Sequence, residues 1–289
     1  MIRSCFVILH YLSIENTVEC VNSVLALQEF EEENDQIVIV DNASNNNTGQ
    51  MLKEQYAKNG NIHVLLNKYN EGFARGNNVG YSFAREVLKA DLILVLNNDL
   101  IIEEKDFLKK AKELINKCDV LGPDIYNESS FRHQNPQQIT RDYRKALYKY
   151  KVIKMFYTLY PFKNVDIVYS WFKKNFIKED KGYARAPKKQ FGVQLHGACI
   201  IFGRNFVKNE KQAFDPRTFL YLEEDFLYRY CKKKNYVILY DPSISVIHRG
   251  SVSTKASELN ERQRKINNLS YHIQSTSIMI DDLKQEEKQ

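Results

Sequence analysis

Five short polar clusters carry the residues able to do chemistry. Leu96-Asn97-Asn98-Asp99 closes an apolar run with a carboxylate. One carboxylate combined with substrate phosphates and water suits Mg2+ or Mn2+. Taken alone, the same tetrapeptide also reads as a strand-end turn capped by Asn and Asp. Asp41-Asn42-Ala43-Ser44 likewise follows an apolar run. Its carboxylate could accept hydrogen bonds from a base or ribose, or could cap the helix beyond it. Asn70-Glu71-Gly72-Phe73-Ala74-Arg75-Gly76-Asn77-Asn78 holds two glycines where backbone could approach a ligand, with amides at a following helix start that could meet phosphate. Glu223-Glu224-Asp225 places three acids after Phe219-Leu220-Tyr221-Leu222. Acids at a helix start favour its positive end, but three exceed what a cap needs, and in a cleft one could act as a base. His248, in His248-Arg249-Gly250-Ser251, could be a structural histidine or could meet metal or phosphate.

The elements needed to position these clusters follow from periodicity. Apolar runs over 5–9, 37–40, 61–66 and 92–96 read as strands. Helical spacing over 15–28, 48–58, 79–89 and 104–117 alternates with them, and 70–78 falls between as a loop. Strands alternating with helices imply an α/β fold with a mostly parallel sheet covered on both faces. Ligands bind such sheets outside the carboxyl ends of the strands, where Asp41 and Asp99 stand. Further on, 194–202 reads as a strand, 223–234 as a helix and 236–240 as a strand, with Ser245-Val246-Ile247 another before His248. A polar helical tail follows from Ala256.

Composition bounds the rest. The chain has 289 residues, enough for a substantial core without disulfides, and 43% apolar with 27% charged content is that of a soluble globular protein. Its net charge of +6 suits phosphate-bearing ligands or an anionic membrane surface and is too weak to argue for nucleic acid. Five scattered cysteines without a CxxC pair read as reduced thiols of a cytosolic protein. The apolar run before His10 is too short for a signal peptide, and no stretch reaches the ~20 apolar residues of a membrane span, so a membrane would be met from the side. Residues 141–189 hold 14 Lys/Arg against 4 Asp/Glu and 12 aromatics. Such a segment could lie in a membrane interface or pack as a solvated insertion on the main domain.

In this order, the clusters at 41–44, 70–78 and 96–99, with Gly197-Ala198, Phe214-Asp215, Phe219-Leu220-Tyr221 and His248, resemble the family 2 glycosyltransferases of bacteria. The rhamnosyltransferase-like branch, which builds capsules and O-antigens, is the nearest in look. The similarity runs from about residue 5 to about residue 254. It implies a GT-A fold, an inverting mechanism, a nucleotide-sugar donor and a divalent metal (Mn2+ or Mg2+). By the same resemblance His10, Tyr11, Asp41, Asn42, Gly72, Phe73, Asn77 and Asn98 lie against the nucleotide sugar, and Asp99 and His248 at the metal. Glu224 falls on the catalytic base, with Asp225 competing for that role. Asn97 stands where the family's first metal acid is usual, which leaves Asp99 and the phosphates to hold the ion.

The expected organisation is one catalytic domain over 1–255 and a helical tail over 256–289. The domain divides into a nucleotide-sugar-binding half (1–125), a basic aromatic helical insertion (140–190) and an acceptor and catalytic half (191–255). The acceptor expected is a lipid-linked or oligosaccharide hydroxyl, the location the cytoplasm or the inner membrane face, and a homodimer stays open. A nucleotidyltransferase would want a glycine- and lysine-rich loop where His10-Tyr11-Leu12 stands. A nicotinamide dehydrogenase would want the G-x-G-x-x-G fingerprint, which is missing. A nucleotide-sugar-binding protein without transfer would not need the acids at 223–225.

Overall fold

The computed structural model describes residues 2–137, 143–160, 165, 184–250 and 261–286. Three successive β-α-β units open the chain. They run β1 (Ser4–His10), α1 (Ile14–Leu25), β2 (Asp35–Asp41), α2 (Thr48–Gln55), β3 (Ile62–Leu66), α3 (Gly72–Glu86) and β4 (Leu92–Asn97). β2 and β4 flank β1, and β3 lies beyond β2, all parallel. The middles of β1, β2 and β4 are continuous apolar runs because helices cover both faces, as a parallel sheet requires. One face packs Phe6, Ile8, Ile37, Ile39, Leu94 and Leu96 against Val21 and Val24 of α1. The other packs Val7, Val38, Val40, Ile93 and Val95 against Ala74, Tyr81 and Ala84 of α3.

The sheet continues with β5 (Leu100–Ile101), β6 (Val120–Asn127), β7 (Arg132–His133), β8 (Gln190–Phe191), β9 (Cys199–Phe202) and β10 (Ile238–His248), and α4 (Phe107–Leu114) lies between β5 and β6 in the chain. The strand order is β3-β2-β1-β4-β9-β6-β10-β5, with β7 on β6 and β8 on β10. β9 runs antiparallel between β4 and β6, whereas β6 and β10 are parallel. The sheet is therefore mostly parallel, with β9 inverted at its centre and the two-residue strands β5, β7 and β8 antiparallel to their neighbours.

Several boundaries differ from those read off the sequence. The 70–78 loop and the 79–89 helix are one helix, α3, that begins at Gly72. The strands expected at 236–240 and 245–247 are one strand, β10, with a bulge between Asp241 and Ser245. β6 had no counterpart in the sequence reading, nor had α6 (Arg204–Asn209). The helix expected over 223–234 is α7 (Glu223–Lys234), with acids in its first turn and Lys232, Lys233 and Lys234 in its last, complementing the helix dipole at both ends.

Of the basic aromatic segment, α5 (Tyr143–Leu159), Tyr160, Val165 and 184–189 lie within the described residues, and the rest lies outside them. Ala146 on α5 packs with Leu222 and Phe226 and with Met279, Ile280 and Leu283 of α8 (Glu261–Glu286). Residues 256–260 of the expected tail lie outside the described residues, but α8 is docked along much of its length. No helix among the described residues is long and apolar enough to cross a membrane. Cys5, Cys20, Cys118, Cys199 and Cys231 are free thiols, and burial pushes each of them up.

Candidate active site

Parallel register brings the strand ends together. His10 pairs with Asp41, and Leu9 with Asn97. His10 is fully buried, with Nδ1 2.7 Å from the Thr17 hydroxyl and Nε2 2.9 Å from that of Thr48. Burial lowers its pKa to about 4, against the opposing charges of Asp41 and Glu15. A neutral ring in this position braces the starts of α1 and α2 beneath the site. Tyr11, the next residue, is half-buried.

Asp41 accepts the Ser44 amide on both oxygens, at 3.2 and 3.3 Å. Gly49 leaves room for it, since a Cβ there would lie 2.3 Å from Asp41 Oδ2. Asn42 uses both ends of its amide. Its Nδ2 donates to Asn70 Oδ1 and the Gly72 carbonyl at 3.0 Å, and its Oδ1 accepts from the Glu71 amide at 3.0 Å and Asn67 Nδ2 at 3.2 Å. It ties the end of β2 to the start of α3. Gly72 has φ +74°, and a Cβ there would meet the Phe219 carbonyl at 2.1 Å. Only glycine permits that approach, which lets the Phe73 amide donate to Phe219 O at 2.8 Å. Phe73 packs edge-on to Phe214 at 5.4 Å. Asn77 is buried, donates to the Phe73 carbonyl at 3.0 Å, and keeps Oδ1 without a partner among the described residues.

Beyond β4, Asn98 is buried and donates to the Thr17 hydroxyl at 3.1 Å. The chain then turns into β5, which pairs antiparallel with β10 so that Leu100 faces His248. That pairing sets Asp99 Oδ1 3.2 Å from His248 Nε2, with both residues over 90% buried. The other ring nitrogen of His248 lies 2.7 Å from Gln134 Oε1. Gln134 also reaches His196, whose ring stands edge-on to His248 at 5.9 Å.

The chain enters α7 through two residues in the left-handed region, Tyr221 (φ 75°) and Leu222 (φ 73°). Of the three acids that follow, Glu223 and Asp225 are buried and Glu224 is half-buried. Glu224 Oε1 accepts the Gly197 amide at 3.1 Å. Burial, reinforced by the charges of Glu224 and Asp225, raises the Glu223 carboxyl to about 8. Glu224 and Asp99 are thus joined across the sheet edge. Glu224 binds Gly197, the adjacent His196 packs on His248, and His248 meets Asp99.

The donor set fits a divalent cation in a limited way. Two ligands at right angles on bonds of about 2.1 Å stand about 3 Å apart, close to the Asp99–His248 separation. Among the described residues no group of three His, Cys, Asp or Glu side chains could hold an ion. A metal here would take its remaining ligands from donor phosphates and water, as Mg2+ commonly does. Gln134 and His196 escaped the sequence reading. His196 had a weak signal, a lone histidine beside Gly197, while Gln134 had none, because its role depends on a contact 114 residues away in the chain.

Comparison with known proteins shows the family. The model of glycosyl transferase family 2 matches residues 5–179. The chain belongs to that family. This glycosyltransferase is 27% identical over 186 residues to an uncharacterized protein of Methanocaldococcus jannaschii, spanning 62% of this chain and 80% of that one. It is 29% identical over 100 residues to the low-salt glycan biosynthesis hexosyltransferase Agl10 of Haloferax volcanii, 35% of this chain and 29% of that enzyme. Residues 1–349 of S. aureus TarS align with a TM-score of 0.52 in the complexes with UDP and with UDP-GlcNAc. Identity is 18% in both, over 93% of this chain and 71% or 66% of the other. At that identity the likeness shows the fold, which is GT-A. The matches are to the family broadly and do not single out its rhamnosyltransferase-like branch.

Proposed function

We propose that this glycosyltransferase moves a sugar, with inversion, from a nucleotide-diphosphate donor to a hydroxyl of a growing glycan. Glu224 takes the acceptor proton in this reading. It is the most open of the three acids at the start of α7, and the Gly197 amide fixes one of its oxygens. Asp225 is more buried and is the weaker candidate. Asp99 and His248 would hold a divalent cation, which when bound neutralises charge on the departing diphosphate. Asp41, Asn42, Gly72, Phe73, Asn77, Asn98 and Tyr11 form the donor side. Of these, Asn42 and Asn98 act by shaping the cleft through buried amide contacts, and His10 acts from beneath.

The observation that supports the proposal is the contact path Glu224–Gly197, His196–His248–Asp99, which links the residue read as the proton acceptor to the carboxylate read as the metal ligand. The donor class is supported by TarS, crystallised with UDP and UDP-GlcNAc, and glycan assembly is supported by Agl10. A cell-surface polysaccharide on a lipid carrier suits the exposed Tyr148, Met155, Tyr157 and Leu159 of α5, interleaved with Lys145, Lys149, Lys151 and Lys154, as a face toward an anionic membrane. The test is a thermal-shift screen of nucleotide sugars with Mn2+, followed by release of nucleoside diphosphate from the best binder. A nucleotide-sugar-binding protein without transfer would show the shift and no release.

A further inference from the structure

The turn that delivers Glu224 is held from two sides. On the donor side, the Phe219 carbonyl accepts the Phe73 amide at 2.8 Å. On the other side, the very next carbonyl, Leu220, accepts the Ser275 hydroxyl of α8 at 2.8 Å. Two rings of the turn also lie on α8. Phe219 stacks on Tyr271 at 4.6 Å and 28°, and Tyr221 on His272 at 3.7 Å and 8°. Before the turn, Arg217 binds Asp215 and reaches Asp282 of α8 through two hydrogen bonds of 2.9 and 2.7 Å. After it, Leu222 and Phe226 pack on Met279, Ile280 and Leu283.

These contacts converge on a strained stretch of backbone. Tyr221 and Leu222 are consecutive non-glycine residues with positive φ, directly before Glu223 and Glu224. Such a pair persists only where its surroundings over-determine it. The Phe73 contact fixes one end of the turn, Ala146 of α5 packs on Leu222 and Phe226, and α8 supplies the Leu220 hydrogen bond and both ring stacks.

We propose that α8 is a positioning element of the active site, in which His272 and Ser275 hold the 219–222 turn in the conformation that aims Glu224. The proposal rests on the reading of Glu224 as the base. His272 and Ser275 contact the turn and not Glu224 itself, so in this proposal their effect falls on turnover and not on donor binding. A displacement of a catalytic group by about 1 Å can cost on the order of 100-fold in rate.

The test compares the full chain with His272→Ala, His272→Phe and Ser275→Ala. His272→Ala should lower kcat about 10–100-fold, with donor KM and donor affinity unchanged. His272→Phe keeps a flat ring on Tyr221 and should restore most of the loss. Ser275→Ala, which removes a single hydrogen bond, should move kcat in the same direction by less, and serves if His272→Ala does not fold. Hydrogen exchange gives a readout independent of activity. Amides of residues 219–226 should exchange faster in His272→Ala and near the wild-type rate in His272→Phe. Wild-type kcat and wild-type exchange in both His272→Ala and Ser275→Ala would overturn the proposal, as would a loss confined to donor KM. If the wild-type chain releases no nucleoside diphosphate from any nucleotide sugar, the functional reading fails, and the exchange comparison still decides whether α8 holds the turn.

Discussion

His248 Nε2 stands 3.2 Å from Asp99 Oδ1, although 148 residues separate them in sequence. The two-residue strand β5 creates the relationship by turning back from β4 and pairing with the end of β10. The backbone closes the same junction, with the Arg249 amide donating to the Asp99 carbonyl at 3.0 Å. A carboxylate and an imidazole so placed offer two adjacent donor atoms.

With two protein donors, cation affinity should depend on the nucleotide. Titration calorimetry with Mn2+ should show weak binding to the free protein and clearly tighter binding once a nucleoside diphosphate is present, tried across uridine, guanosine and thymidine. Asp99→Ala should abolish the nucleotide-dependent part, and His248→Ala should weaken it by at least the roughly 10–100-fold typical of disturbing a metal's surroundings. Equal Mn2+ affinity in wild type and Asp99→Ala would remove Asp99 from the site.

Gly72→Ala should disturb the site through the donor loop. A side chain there both occupies a left-handed conformation, costing roughly 1–2 kcal/mol, and collides with the Phe219 carbonyl. The melting temperature should drop by at least about 3 °C, given roughly 2–4 °C per kcal/mol for a domain of this size. Turnover should fall with it, because Phe219 belongs to the turn before Glu224. Gly60→Ala, where a Cβ meets nothing within 4 Å, is the control and should change neither.

Glu223 should make stability fall as pH rises. Its carboxyl is raised from 4.5 to about 8 by burial and by the charges of Glu224 and Asp225. Between those values the native state holds a proton that the unfolded chain has released. The contribution is therefore fully present below about pH 4.5 and is lost as pH rises toward 8, with a slope of at most about 1.4 kcal/mol per pH unit. Glu223→Gln, which cannot ionise, should lack that slope. Melting curves of the two proteins from pH 5.5 to 8 check this, and parallel trends would show that Glu223 is not the titrating group.

The sequence revealed the β-α-β alternation of the first hundred residues because both signals there are local. It misplaced the start of α3 because Gly72, Gly76, Asn77 and Asn78 are poor helix formers. The structure supplies the reason they are present. A Cβ at Gly76 would lie 2.8 Å from Leu9, and one at Gly80 2.4 Å from Val7, so α3 rests unusually close on the sheet. Tertiary packing overrides propensity at these positions. β6 was hidden by Gly122-Pro123-Asp124, which reads as a turn. Pro123 is accommodated because β9 pairs with β6 only at Val120 and Leu121, and because Pro123 sits opposite the bulge in β10. That Asp41 and Asp99 stand at strand ends and Glu224 in the first turn of a helix could be read from the sequence. Gln134, His196 and the α8 residues could not, because each acts through contacts that exist only once distant segments meet.

The central claim is tested most directly by nucleoside diphosphate release and sugar transfer in Glu224→Gln, with the best-binding nucleotide sugar, Mn2+ and an oligosaccharide acceptor. A positioned general base contributes ~10²–10⁴-fold. The account predicts a fall in kcat of that size with donor affinity unchanged, and a smaller effect for Asp225→Asn. Full activity in Glu224→Gln with an inactive Asp225→Asn would contradict it.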